Sequence, residues 1–277
     1  MKELTQDERE RLARNLDRVR ALVARATRAA GRDPGDVRLV AVTKSVDLPV
    51  IRALAELGQR DFGENRPERV PFLAEALYHA GLPARWHMIG HYQRRKVRRT
   101  LDFFHLVHSI HSEPLLATCA RARARLLRRL LALAAGASGA ADDEGAPDAA
   151  AQLELRREAE AVGLAAPLPV LLQVNVSGEA TKQGFAPESV REVLAQARSS
   201  HPLLSIRGLM TMAPLGASEQ ETRRIFRGLA EIRRTLEDVT PLPELSMGMS
   251  GDFVTAVEEG ATLVRVGSAL FEGLNRV

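Results

Sequence analysis

VRLVAVTKS, residues 37–45, is a short apolar run that closes on a charge. Its length and its β-branched residues predict a buried strand. Side chains alternate along a strand, so Val40, Val42 and Lys44 share one face, with Lys44 last. Seven further runs of this kind follow, at 60–65, 85–90, 103–110, 169–176, 205–212, 244–249 and 262–268. Amphipathic helical patterns fall between them, at 49–57, 67–80, 188–199, 219–236 and 252–259. Strand and helix in alternation predict an α/β protein with a parallel sheet. Eight such units predict a closed (β/α)8 TIM barrel.

The 277 residues match one such barrel, so residues 1–277 are expected to form a single domain. Aromatics are only 4%, which calls for the aliphatic core that fills barrel interiors. Lys and Arg (39) against Asp and Glu (35) leave a net charge of +4. That balance suits an anionic small molecule and does not demand nucleic acid. Cys119 stands alone, which excludes an intrachain disulfide and a Cys-rich metal site and fits a reducing cytoplasm. The start, MKELTQDERERLARNLDRVR, is too polar for a signal peptide. No apolar run approaches the ~20 residues of a spanning helix. A cytoplasmic protein with no membrane contact is expected.

An extra N-terminal helix is predicted ahead of the barrel. Thr5 and Glu8 have capping-box spacing, and Leu12, Leu16, Val19, Val23 and Ala26 recur at helical spacing. Gly31 and Pro34 end it. One stretch breaks the alternation: LALAAGASGAADDEGAPDAAA, residues 131–151. It has little to bury and stands where the crossover helix between strands four and five belongs. It is expected to be an inserted mobile loop, with frayed helix at its edges.

Lys44 is the first residue with chemical promise. A lysine ending a buried apolar strand is costly to desolvate, and a desolvated amine attacks aldehydes. A solvated strand-end lysine is the plain alternative, and spacing leaves both open. In TLVRVGSAL, residues 262–270, Leu263, Arg265 and Gly267 share a face, so Arg265 is expected at the barrel mouth. Gly267 and Ser268 open the next turn, where backbone N–H groups and a helix N-terminus can hold an anion. Barrels commonly bind phosphate after strands seven and eight, and Ser250 closes LSMGMS in strand seven. The plain alternative is that these residues only turn the chain. Barrel closure would bring the Lys44 strand beside this phosphate cup.

VTKS, FGEN, WHMIGHYQRRK, VHSIHS, LLQVNVSGEATKQGF, IRGLMTM, ELSMGMSGD and VRVGSALF occur in this order between Val37 and Phe271. Together they resemble the small pyridoxal-phosphate-binding homeostasis proteins, the YggS or PROSC family. That family's fold is similar to the N-terminal barrel of alanine racemase. The resemblance implies pyridoxal 5'-phosphate as cofactor, with Lys44 as its Schiff-base lysine and Asn65 beside it. Arg265 matches the arginine that faces the pyridine nitrogen. Ser250, Gly267 and Ser268 match positions that hold the phosphate. By comparison with the racemase barrel, Met212 takes the place of a ring-stacking residue and Lys182 that of a flanking basic residue. No catalytic or metal-ligating residue is implied.

Arg265 narrows the chemistry toward racemase-like reactions or simple carriage. An acidic partner keeps the ring nitrogen protonated and makes the cofactor a strong electron sink. A permanently charged arginine cannot accept that proton. Alanine racemase also uses a tyrosine from a separate C-terminal domain as a second base, and this chain closes soon after its eighth strand. It has two tyrosines. Tyr78 reads as helix-face packing, and Tyr92, just after strand three, is placed to reach the mouth. The expectation is a protein of pyridoxal phosphate homeostasis that holds the cofactor on Lys44 and buffers or supplies it, not an enzyme. The alternatives are a small pyridoxal-phosphate-dependent amino-acid racemase and a cofactor-free barrel for a phosphorylated ligand. The expected partners are the cofactor and pyridoxal-phosphate-dependent apoenzymes, with no nucleic acid; a monomer is expected.

The remaining motifs read as structural. His87 and His91 flank Gly90 as hydrogen-bonding residues, with a proton relay as the sharper alternative. His105, His108 and His111 span a strand and its exit, so they do not converge on a metal. The basic run 93–99 lacks the aromatic platforms of a nucleic-acid site and reads as a solvated helix start or a patch near the phosphate.

Overall fold

The computed structural model describes residues 3–136, 148–161, 163, 167–179 and 182–274. Parallel strands close on themselves in chain order as a barrel. They are β1 (Arg38–Val42), β2 (Asp61–Glu64), β3 (Arg85–Met88), β4 (Leu106–Ile110), β5 (Leu168–Gln173), β6 (Leu204–Met210), β7 (Glu244–Ser246) and β8 (Leu263–Val266). Each of the eight predicted runs overlaps one of them. Most stop short of the predicted C-terminal end, because the last residues leave the ladder to build the barrel mouth. Closure rests on β1 pairing with β8, from Arg38 opposite Leu263 to Ala41 opposite Val266.

The helices around the strands are α1 (Gln6–Ala29), α2 (Leu48–Glu56), α3 (Val70–His79), α4 (Arg94–Thr100), α5 (Glu113–Ala134), α6 (Ala149–Ala161), α7 (Val190–Ser200), α8 (Glu219–Thr235) and α9 (Phe253–Glu258). Short 3-10 turns, Pro67–Arg69 and Pro187–Ser189, lead into α3 and α7. An aliphatic shell lies between strands and helices, and a smaller cluster of Val40, Leu106, Leu171, Met210 and Leu263 fills the interior. Val40 and Leu263 thus face inward, as their strand parity predicts. No helix among the described residues is long and apolar enough to cross a membrane.

α1 starts with the predicted capping box. Thr5 Oγ1 accepts from Glu8 N, and the Glu8 carboxylate accepts from Thr5 N at 2.9 Å. Leu12, Leu16, Val19, Val23 and Ala26 form its buried stripe. It packs against both α9 and α2, the helices that flank β8 and β1. α1 therefore covers the closing seam, the place a helix following β8 would take. Its polar face grips the turn after β8: Asn15 donates to the carbonyls of Leu270 and Glu272, and Arg11 to that of Gly273.

The crossover from β4 to β5 differs from expectation. α5 continues to Ala134 and α6 begins at Ala149, so both edges of 131–151 are helical. The two helices pack through Ala124, Leu127, Leu155 and Ala159, with Leu203 beneath them. Leu131 joins this cluster one turn beyond Leu127, which is why the helix does not fray there. Residues 137–147 lie outside the described residues.

Glycine sets the β6–β7 spacing. A Cβ on Gly208 would lie 1.8 Å from the Glu244 carbonyl oxygen, a contact no backbone shift of normal size relieves. Gly208→Ala is expected to destabilise the protein by about 2 kcal/mol or more, the cost of overpacking a tight site. Urea unfolding measures this, and an unchanged midpoint would contradict the β6–β7 register.

Candidate functional site

The β-strand C-terminal ends surround a cavity of about 720 Å³. That volume lies in the range of small-molecule sites. Lys44, Asn65, Met212, Ser250, Arg265, Gly267 and Ser268 all line it. The predicted residues are therefore brought together by the fold.

Lys44 follows the end of β1 and is exposed at the cavity rim. Of the two readings that spacing left open, the solvated strand-end lysine is the one seen: Thr43 N still donates to the Gly63 carbonyl at 3.0 Å, and Lys44 begins a turn. That turn is fastened from below by Glu64, a buried residue the sequence reading passed over. The Glu64 carboxyl accepts from Thr43 Oγ1 at 2.8 Å and from Arg69 at 3.0 Å. Arg69 also donates to the Val46 carbonyl at 2.8 Å. The other Glu64 oxygen accepts from Asn65 N at 3.2 Å. One carboxyl thus positions both the Lys44 turn and Asn65. Asn65 is held from its other side by Gly90, where a Cβ would come within 2.8 Å of Asn65 Cα.

The turns after β7 and β8 line the same cavity as Lys44. Ser250 Oγ accepts from Gly267 N at 3.1 Å and from Ala269 N at 3.3 Å. A hydroxyl that accepts two bonds still has its own proton to donate. The helix expected after β8 is absent from the described residues. Residues 267–274 form turns instead, with Leu270 N donating to Gly267 O at 2.9 Å. The proton this turn offers to the cavity is therefore that of the Ser250 hydroxyl, with the Gly267 and Ala269 N–H groups spent on its oxygen, rather than a helix terminus. Gly267 lets this turn lie against β1, since a Cβ there would sit 3.2 Å from Val42 Cβ. Gly248, at φ +91°, bends the preceding turn where any Cβ would meet Ala256. Asp252 ties that turn by accepting from Met249 N. Burial pushes its carboxyl pKa up, opposed by this bond and by the charge of Arg265.

Arg265 lies deeper in the cavity and is 3% exposed. It donates to Ser246 Oγ, and to the Thr211 carbonyl at 3.0 Å. Burial lowers its pKa to about 10, with Asp252 opposing, so it stays charged at neutral pH. Below it the polar contacts continue. Ser246 Oγ lies 2.7 Å from His108 Nδ1, and His108 Nε2 lies 2.9 Å from His87 Nδ1. His87 Nε2 lies 2.9 Å from Asp61, whose two oxygens accept from Arg85 at 2.9 and 2.6 Å. Burial pushes both histidines down, His108 further. Burial raises Asp61, but His87 and Arg85 outweigh it and hold the carboxyl at about 2. Strand parity alone placed Ser246 between Glu244 and Gly248 on the inner face, a signal the sequence reading did not use.

Several residues stand apart. Tyr92 does not reach the mouth: it is buried, with its hydroxyl 2.8 Å from Thr100 Oγ1 and its ring edge-on to Phe104. Burial pushes its phenol up. Tyr78 is 80% exposed on α3 rather than packed. Lys182 lies 3.1 Å from Glu179 and does not line the cavity. His91 stacks on His111 with ring centroids 5.2 Å apart. The basic run forms α4, where Lys96 pairs with Glu68 at 2.9 Å outside the cavity.

Comparison with known proteins gives a consistent likeness. The family profile of the alanine racemase N-terminal domain matches residues 10–275. A pyridoxal phosphate homeostasis protein of Pseudomonas aeruginosa is 37% identical over 265 residues, covering 94% of this chain and 94% of the relative. One of Aquifex aeolicus is 34% identical, covering 95% of this chain and 96% of its own length. Among solved structures, PipY of Synechococcus elongatus with PLP bound has a TM-score of 0.67 and 29% identity, covering 94% of this chain and 99% of PipY. An alanine racemase from Corynebacterium glutamicum, 16% identical with a TM-score of 0.58, shares the fold over 96% of this chain and 63% of its own.

Asp61 gives the lower end of the barrel a pH signature. Its folded-state pKa, about 2, lies below the ordinary aspartate value of 3.8. The stabilisation is therefore full above about pH 4 and is lost as pH falls toward 2, amounting to about 2 kcal/mol. The unfolding free energy of the wild type should fall by that much more than that of Asp61→Asn across this range. Equal pH slopes in the two proteins would mean that Asp61 is not held ionised.

Proposed function

Because the chain belongs to the pyridoxal phosphate homeostasis family, built on the alanine racemase N-terminal domain, we propose that it binds pyridoxal 5'-phosphate at the barrel mouth and holds it for delivery to other proteins. The observation that carries this reading is one cavity lined by a primary amine, an anion cup and a buried guanidinium. Those three groups suit an aldehyde, a phosphate and a ring nitrogen, and one small molecule combines them. The glycine at 267 is part of the fit, since the cup forms only where its turn lies against Val42.

Bound pyridoxal phosphate supplies a reactive aldehyde on an electron-accepting ring. Lys44 takes the aldehyde and keeps it from other amines. Its exposure at the rim leaves the amine open to loading and to unloading. Ser250, Gly267 and Ser268 would hold the phosphate, with the Ser250 proton directed to it while the Ser250 oxygen keeps the Gly267 N–H, in a turn that α1 braces from behind through Asn15. Arg265, still charged, donates to the ring nitrogen and takes no proton from it. Asn65 and Met212, which line the same cavity, would flank the ring.

Holding fits these residues better than turnover. A racemase needs a second base across the cavity from its lysine, and neither tyrosine of the chain lines the cavity. Arg265, which leaves the ring nitrogen unprotonated, suits carriage and racemase-like proton removal alike, so the weight rests on the second base.

Borohydride reduction of the loaded protein, followed by peptide mass spectrometry, tests the site. The modification is expected on Lys44 and is expected to vanish in Lys44→Ala, together with the absorbance of the bound cofactor. Retention of reducible cofactor in Lys44→Ala would overturn the lysine assignment. Steady α-proton exchange of an amino acid in deuterated water, with turnover, would overturn the carrier role.

A further inference from the structure

We propose, resting on that function, that Asp61, His87, His108 and Ser246 form a one-way hydrogen-bonded chain through the barrel that holds Arg265 as a fixed donor to the ring nitrogen. Its contacts run without a gap from Arg85 at the lower rim to the cavity. None of the four residues lines the cavity, so they act through Arg265 as positioning residues.

The chemistry of each link allows one placement of protons. Arg85 holds Asp61 ionised with two bonds, and a carboxylate only accepts. His87 Nε2 must therefore carry a proton and donate it. His87 is neutral, so its Nδ1 is an acceptor, and His108 Nε2 must donate to it. His108 is neutral in turn, so its Nδ1 accepts the Ser246 hydroxyl proton. Ser246 Oγ then has only lone pairs to offer, and these accept from Arg265. Every proton points toward Asp61.

The surrounding charges enforce this state. Asp61 is engaged by Arg85, and Glu244 is engaged by Arg38 across the barrel. His87 faces Asp61 on one side and Arg38, His105 and His108 on others, and His108 faces His87, Arg265 and Arg38. A positive charge on His108 would face only cations, and on His87 the attraction of Asp61, already shared with Arg85, is outweighed by burial. Neutral rings, in the Nε2–H tautomer, follow.

Packing alone does not account for the chain. The same interior accommodates Val40, Leu106, Leu171, Met210 and Leu263, which need no partners. Burying four linked polar groups instead is costly unless all are satisfied, and here they are. What they obtain is an Arg265 with two N–H groups committed, to Ser246 and Thr211, and the rest of its fork kept in place. Arg265 so held neither swings aside nor yields its proton, and the ring nitrogen stays unprotonated.

Two measurements test the proposal. Long-range 15N–1H spectra of the protein without cofactor should show His87 and His108 as neutral Nε2–H rings across about pH 6 to 8. A charged ring or an Nδ1–H tautomer at either position would overturn the chain. In the loaded protein, His108→Leu and Ser246→Ala should still be reduced on Lys44. Their bound cofactor should show a shifted absorption maximum that titrates over the same range, where the wild type does not. Asp61→Asn, at the far end and outside the aliphatic cluster, should give the same shift if the other two fail to fold. An unmoved, pH-independent spectrum at equal occupancy would reduce the chain to packing and overturn its role. Failure of the wild type to take up pyridoxal phosphate would overturn the function itself, while the spectra without cofactor still decide the chain.

Discussion

Where β8 returns to β1, four residue pairs in register turn a curled sheet into a closed barrel. Strand parity then carries Val42 and Lys44 up one side of the seam and Arg265 and Gly267 up the other. Gly267 lies against Val42 with no room for a larger side chain to come between. The amine and the turn after β8 line one cavity because of that contact. α1 secures the same seam from outside, with an apolar stripe toward α9 and α2 and polar groups on the carbonyls of the last turn. Site and closure are thus one structural fact.

The barrel interior divides along its length. Aliphatic side chains fill part of it, and a line of polar groups passes beside them to the cavity. A buried guanidinium costs several kcal/mol unless it is well bonded. Arg265 meets that demand with a serine hydroxyl and a backbone carbonyl rather than a carboxylate in contact. A direct carboxylate partner would cancel its charge at the point where the cavity uses it. The carboxylate is placed at the far end of the chain instead, where Arg85 balances it.

Much of this was legible in the sequence, for identifiable reasons. Period-two runs and helical stripes are local signals, so the strands, the capped first helix and the closed barrel could be read directly. Parity placed Arg265 inward, and ordered motifs linked Lys44, Asn65, Ser250 and Gly267 to one ligand. What stayed hidden depends on neighbours distant in the chain. His108 and Ser246 are 138 residues apart, and no pattern within either strand announces the other. Glu64 reads as one more strand residue until Thr43 and Arg69 are seen on it. Tyr92 misled because its position suggested the mouth, whereas Thr100, one helix later, draws its hydroxyl into the wall. The turn after β8 lacks a helix because α1 already fills the space one would occupy.

The seam has a consequence for how the molecule is born. A ribosome delivers α1 and the Lys44 strand some two hundred residues before Ser250, Arg265 and Gly267. At elongation rates of about 5–20 residues per second, Lys44 exists for many seconds before the turn at Gly267 does. α1 meanwhile lacks the carbonyls of Leu270 and Gly273 that it grips in the finished fold. Contacts that join the two ends of a chain are slow to form, because the loop between them must close first. The growing chain therefore carries Lys44 before the turn that completes its cavity exists. Whatever Lys44 and this turn do together is a property of the closed ring alone.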